Sequence, residues 1–216
     1  MRWPFLSRAT TRTAAALATV AALAAGTAAA APALTTAPSP SPSPERGHHR
    51  PAPSWPQNLI DRSPDLVQPK ALTVDRSIGA RRAAQEVRLA QQLYTFWNTG
   101  QQRYLDAAIS PQFRDNTLPS GRPQGPAGPL FASKNIRAAV PDLTCGLSDV
   151  LVAGDRITAR LVFRGHFTGT FDGIRGRGQA VEFNAIDIQH VGTDRIVEDW
   201  HIEDNQALLA QLGVHG

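Results

Sequence analysis

Asp187, Asp199 and His201 are the residues of this 216-residue chain whose types and spacing best suit proton transfer. They lie in two strand-like runs, 180–191 and 195–205, joined by Gly192-Thr-Asp194. A three-residue turn there pairs Val191 with Arg195. Counting back in antiparallel register sets Asp187 opposite Asp199, with His201 next along the same face. Asp187 and His201 are then one diagonal step apart, within hydrogen-bond reach. A His oriented by a carboxylate is a suitable general base near neutral pH, because its ordinary pKa lies there. His201 as base and Asp187 as its orienting partner is therefore the catalytic expectation. The competing reading is a His–Asp pair that only holds the hairpin together, and Asp199 could accept from His201 in either case.

Other polar residues have plainer readings. Asp204 shares strand parity with Ile196, Trp200 and Ile202, which could place it at the end of an apolar face, but it also opens a helix that it can cap. His190 has the parity of Ile186 and Ile188 and reads as a partly buried structural histidine. The string Gly173-Ile-Arg-Gly-Arg-Gly-Gln179 has no helix after it, so it reads as a turn with solvated arginines rather than a phosphate loop. His48 and His49 are adjacent in a proline-rich tail and read as solvated. Cys145 is the one cysteine, which excludes an intramolecular disulfide and leaves the core to hold the domain together.

The elements that must position these groups follow from periodicity. From about Ile78, the apolar residues Val87, Leu89, Ala90, Leu93, Tyr94 and Trp97 recur at helical spacing, and Asn98-Thr-Gly100 ends the helix. A short helix over 102–108 stops before Pro111, residues 116–129 form a Gly/Pro-rich loop, and a third helix covers about 131–139. Runs 143–152, 156–165, 180–191 and 195–205 are strands separated by turns such as Ala153-Gly-Asp155. Three helices followed by antiparallel strands indicate an α+β domain, with a short helix closing the chain.

The amino-terminal part has another character. Arg2, Arg8 and Arg12, an apolar stretch over 14–25 and a small-residue tail ending at Ala30 have the layout of an export signal, so residues 1–30 are expected to be removed and the protein secreted. The apolar stretch is short for a membrane span, and no cysteine stands at the cleavage point for a lipid anchor. Residues 31–58 are Pro- and Ser-rich, with Ser39-Pro-Ser-Pro-Ser-Pro44, and read as an extended linker. Residues 59–77 have no assignment, and 78–216 form the folded domain. The formal charge of +4 falls when the signal is removed: three of the 22 Lys and Arg lie in residues 1–30, leaving 19 bases against 18 acids. A nearly neutral mature chain excludes a nucleic-acid partner of the usual basic kind.

Several strings together carry a family likeness: Trp97-Asn-Thr-Gly100, Ser110-Pro-Gln-Phe113, Val140-Pro-Asp-Leu143, Gly165-His-Phe-Thr-Gly169 and Gln211-Leu-Gly213. In this order and spacing the stretch Gln85–Gly213 resembles the SnoaL-like polyketide and ester cyclases of the nuclear transport factor 2-like superfamily. The resemblance implies a cone of three helices packed on a curved antiparallel sheet. It also implies aldol-type chemistry in an apolar pocket without metal or organic cofactor, and a homodimer formed through the outer sheet face. The family's His position falls on Asp187 and its Asp position on His201, so the two types are present but interchanged. Trp97 falls where a cyclase has a pocket Tyr, Lys134 and Asn135 straddle a ligand-contacting helix position, and His166 lies one place before a family His. Asp199 and Asp204 complete the expected pocket set. The function expected is proton transfer on a small hydrophobic carbonyl compound, of cyclase, isomerase or hydrolase type. The alternative is a secreted module that binds a lipophilic molecule without changing it.

Overall fold

The computed structural model describes residues 59–214, and the expected signal segment and linker lie outside the described residues. Strand β1 (Ala71–Val74) leads through a 3-10 turn (Arg76–Ile78) into helix α1 (Ala80–Thr99). Helix α2 (Gln102–Ala108), strand β2 (Ile109–Asp115) and helix α3 (Ala127–Ala139) follow. Long strands β3 (Thr144–Ala153) and β4 (Arg156–Phe167) come next, then the small hairpin β5 (Thr170–Phe171) and β6 (Ile174–Arg175). Strands β7 (Gln179–Val191) and β8 (Ile196–Glu203) and helix α4 (Asn205–Leu212) complete the chain.

The large sheet has the order β1-β3-β4-β7-β8-β2. Its four long strands pair antiparallel, as the turn signals require, while β1 and β2 join the two edges in parallel. These edge strands, and β5 and β6, are not among the strands read from the sequence. They are short, and β2 carries Pro111, so their period-two pattern is weak. The α+β arrangement with three helices before the long strands and one after them is as expected.

Alternation along β7 turns Val181, Phe183, Ala185, Asp187 and Gln189 inward and leaves the residues between them outside. The inner face packs on α1 through Val87, Ala90, Leu93 and Tyr94, all nearly or wholly buried. The motifs that carried the likeness are joints in this assembly. Gly100 adopts a left-handed conformation (φ 72°) and its N–H returns to the Phe96 carbonyl, closing α1. Asn98 Oδ1 accepts from the Cys145 N–H at 2.9 Å, tying the end of α1 to β3. Gly169 N–H donates to the Ala139 carbonyl at 2.9 Å, and a Cβ at Gly169 would stand 1.8 Å from the Ala138 oxygen. Gln211 brackets Glu182 with two hydrogen bonds to its backbone, seating α4 on the start of β7.

The outer sheet face is partly apolar. Ile186, Ile188 and Ile202 are 51%, 43% and 75% exposed, with Ile186 paired directly to Ile202. At its rim, His190 is half-buried, hydrogen-bonds Glu198 and lies 3.2 Å from Asp155, consistent with a structural histidine. Cys145 is a buried free thiol. Among the described residues, no helix is long and apolar enough to cross a membrane.

Candidate functional site

The β7–β8 hairpin departs from its expected register. Gly192 N–H donates to the Arg195 carbonyl, and Val191 pairs with Ile196 rather than Arg195. A bulge then leaves Val197 as the extra residue, so that His190 pairs with Glu198 and Asp187 with His201. Asp199 faces Gln189 instead of Asp187. The tighter turn and the bulge each move the pairing by one residue, and a two-residue slip returns every side chain to its original face. Asp187, Asp199 and His201 therefore still share the inner face. Arg82 of α1 holds the turn, donating to the Val191 and Gly192 carbonyls at 3.0 and 2.8 Å, and is itself paired with buried Glu86.

These three residues line a pocket between the sheet, α1, α3 and α4. Its apolar walls include Leu93 and Trp97 from α1, Phe163 and Phe183 from the sheet, Ile136 from α3 and Leu208 from α4. Phe163 and Phe183 stack at 4.9 Å, and Trp97 meets Phe163 edge-on at 6.2 Å. The cavity has a volume of about 90 Å³. One water needs roughly 10–15 Å³ on that measure, so a multi-atom ligand fits.

The polar end is more crowded than the expected dyad. His201 Nδ1 lies 2.7 Å from Glu203 Oε1 and Nε2 lies 3.0 Å from Asp115 Oδ2. Both ring nitrogens are thereby occupied, and among the described residues no hydrogen bond joins His201 to Asp187. This corrects the expected pairing: Asp115 and Glu203 orient the imidazole. Burial disfavours the charged ring, but the hydrogen bonds to Asp115 and Glu203 and the negative charge of Glu203 outweigh it, raising the His201 pKa to about 10. His201 is thus an imidazolium at neutral pH, held between two carboxylates whose own pKa values are lowered by it. Arg122, 3.8 Å from Asp115, adds a second positive charge.

Asp187 is 5% exposed. Burial pushes its pKa up to about 7, with the charges of Glu203 and Asp115 adding to the rise and His201 and a Tyr94 hydrogen bond opposing it. Asp199, 9% exposed, is pushed well above the carboxylate range by burial and then by the Asp187 charge. Its Oδ1 is buried without a hydrogen-bond partner among the described residues. The pocket therefore holds two buried carboxyls whose pKa values are both raised, that of Asp187 to about 7.

Trp97 and Asp199 line the pocket. Lys134 and Asn135 do not: α3 turns Ala132 and Ile136 inward, and Lys134 is exposed. His166 is exposed and bonds Asp142 at 2.7 Å, outside the pocket, because β4 turns Phe167 inward in its place. Asp204 caps α4 by accepting from the Ala207 N–H at 2.9 Å, which engages its side chain outside the pocket lining. Asp115, Arg122, Glu203 and Tyr94 are the residues that sequence reasoning passed over. Tyr94 carried a readable signal, since a phenol on the buried stripe of an amphipathic helix requires a polar partner. Asp115 carried little, because it meets His201 across 86 residues through a parallel edge strand. Among the described residues, no group of three or more His, Cys, Asp or Glu is arranged to hold a metal ion.

The model of the SnoaL-like polyketide cyclase family matches residues 87–212. A candidate polyketide cyclase from Bacillus cereus ATCC 10987 is 40% identical, with a TM-score of 0.66 over 73% of this chain and 99% of that one. IdmH, a candidate polyketide cyclase from Streptomyces antibioticus, is 31% identical, with a TM-score of 0.55 over 60% of this chain and 99% of its own. TsrD from Streptomyces laurentii is 28% identical, with a TM-score of 0.55 over 61% and 97%. No curated protein matches the chain. A match over the helices, the sheet and the pocket they enclose, with 40% identity across nearly the whole of one relative, shows that this chain belongs to the SnoaL-like polyketide cyclase family.

Proposed function

We propose that this chain is an exported SnoaL-like enzyme that moves protons on a small hydrophobic carbonyl compound, in a cyclase- or isomerase-type reaction without a cofactor. The observation that carries the reading is the pair of buried carboxyls, Asp187 and Asp199, at the polar end of an apolar cavity, both with raised pKa. Two buried carboxyls that raise each other's pKa do not readily ionise together, so one can serve as acid while the other serves as base.

Asp187 takes the base role expected earlier of His201, whose ring is already protonated and hydrogen-bonded on both sides. In this reaction the Asp187 carboxylate removes a proton from the carbon next to a carbonyl. The C–H electron pair forms the enol double bond, and the carbonyl oxygen takes the Asp199 proton. For ring closure, the enol carbon attacks a second carbonyl of the same molecule. The new alkoxide then receives the proton held by Asp187, and the enol O–H returns its proton to Asp199, so both carboxyls end as they began. The fixed imidazolium of His201 stabilises negative charge as it develops nearby. The aromatic walls favour a folded apolar chain and exclude water.

The test is deuterium uptake from D₂O at the α-carbon of hydrophobic ketones and β-keto esters, followed by NMR. Wild-type protein is expected to catalyse uptake, and Asp187→Asn to lose roughly 10²- to 10⁴-fold of it. Tight retention of such compounds with no exchange by the wild type would overturn the enzyme reading in favour of a secreted binding module.

A further inference from the structure

Asp187 is reached from behind by a chain of two wholly buried polar side chains. Gln189 Nε2 donates to the Tyr94 hydroxyl at 2.5 Å, and that hydroxyl donates to Asp187 Oδ2 at 3.1 Å. Gln189 stands two residues beyond Asp187 on the inner face of β7, and Tyr94 comes from the middle of α1. Both have 0% exposure, so each would be costly in this core without a partner. The chain has a direction. A phenol has one proton, and by accepting from Gln189 the Tyr94 oxygen leaves that proton for the carboxylate. Burial and the Asp187 charge hold Tyr94 far from ionisation, so it remains a donor. Asp187 Oδ1 makes no hydrogen bond among the described residues.

We propose that Tyr94, itself held by Gln189, is a positioning residue that pins Asp187 through Oδ2 and leaves Oδ1 as the oxygen that takes the substrate proton. The inference rests on the reading of Asp187 as the base. Tyr94 acts against the burial that disfavours the carboxylate, and so sets where Asp187 titrates. The other ionisable groups acting with Asp187 are His201, Glu203 and Asp199 on β8, Asp115 on β2 and Cys145 on β3. Tyr94→Phe changes none of them, so a displaced titration reports on the phenol itself.

The experiment compares wild type, Tyr94→Phe and Gln189→Leu by ¹³C NMR titration of labelled aspartate carboxyls. The Asp187 signal is assigned by its loss in Asp187→Asn. The Asp187 midpoint is expected to rise by about one pH unit in Tyr94→Phe and by less in Gln189→Leu. The acid limb of the kcat profile should move with it, lowering kcat below neutrality about tenfold with KM unchanged. An unchanged Asp187 midpoint in folded Tyr94→Phe overturns the proposal. If thermal unfolding shows that this variant does not fold, an unchanged midpoint in Gln189→Leu does so instead. Should the wild type catalyse nothing, the proposed reaction falls while the carboxyl titration still decides the role of Tyr94.

Discussion

Asp187 and His201 stand directly opposite each other across the β7–β8 ladder, yet His201 bonds Asp115 and Glu203 and leaves Asp187 to Tyr94. Two residues that look like a dyad in the sequence are thus members of two separate hydrogen-bonded groups that share one pocket. The imidazole is committed to its carboxylates, and the proposed reaction therefore leaves proton exchange to the buried Asp187.

The His201 cluster makes stability depend on pH. Its folded pKa of about 10 lies above the ordinary 6.5, so its contribution is fully present below pH 6.5 and is lost as pH rises through 10. The size is on the order of 5 kcal/mol. Thermal unfolding should show Tm falling between pH 7 and 10 in the wild type, with this fall much reduced in His201→Gln. A parallel fall in both proteins would show that the ring is not held as an imidazolium.

Asp187 contributes a second, separate window. Its pKa is raised from 3.8 to about 7, so the associated stability is present below pH 3.8 and is lost as pH rises through 7. Asp187→Asn keeps the shape and abolishes the charge. It should be more stable than wild type at pH 8 and nearly equal to it at pH 4, as measured by urea unfolding at the two pH values.

Filling the cavity should block it. Ala132 lines the pocket on α3, and Ala132→Phe would occupy the space beside Ile136. Binding of an apolar fluorescent probe such as 1-anilinonaphthalene-8-sulfonate should weaken at least about tenfold, the equivalent of ~1.4 kcal/mol. Lys134→Ala, on the exposed side of the same helix, should leave binding unchanged.

Gly169 should tolerate no side chain. A Cβ would meet the α3 backbone at 1.8 Å, and backbone cannot rotate aside as a side chain can. Gly169→Ala should cost at least about 1–3 kcal/mol, read as a Tm several degrees lower. Gly154→Ala gives a contrast, since it meets no atom within 4 Å and carries only the strain of its φ of 63°.

The outer sheet face carries a row of exposed isoleucines, Ile186, Ile188 and Ile202. We propose that a second copy covers it. Ile188→Glu with Ile202→Glu should leave a folded protein that sediments as a monomer where the wild type sediments as a dimer. A wild type that is monomeric at all concentrations would dispose of this assembly.

The order of the helices and the four long strands was legible because it rests on local pattern. The stripe from Val87 to Trp97, the stop at Gly100 and the alternation along β7 report helix and strand through spacing alone. The shared face of Asp187, Asp199 and His201 was legible for the same reason, and it withstood a two-residue change of register because strand parity repeats every two residues. Trp97 at the pocket wall followed from the family likeness. By contrast, Lys134, Asn135, His166 and Asp204 fall outside the lining, because a shift of one position along a helix or strand turns a side chain to another face.

What the amino-acid sequence determined by itself is therefore the family, the α+β order and the set of inward-facing residues on the last hairpin. The tertiary structure alone decided which partner each of those residues takes. Asp115 reaches His201 only because edge strand β2 docks in parallel beside β8, and Tyr94 reaches Asp187 only because α1 crosses the inner face of β7. Those contacts set which group is charged, since burial and close charges, not residue type, divide protons among neighbouring acids and bases.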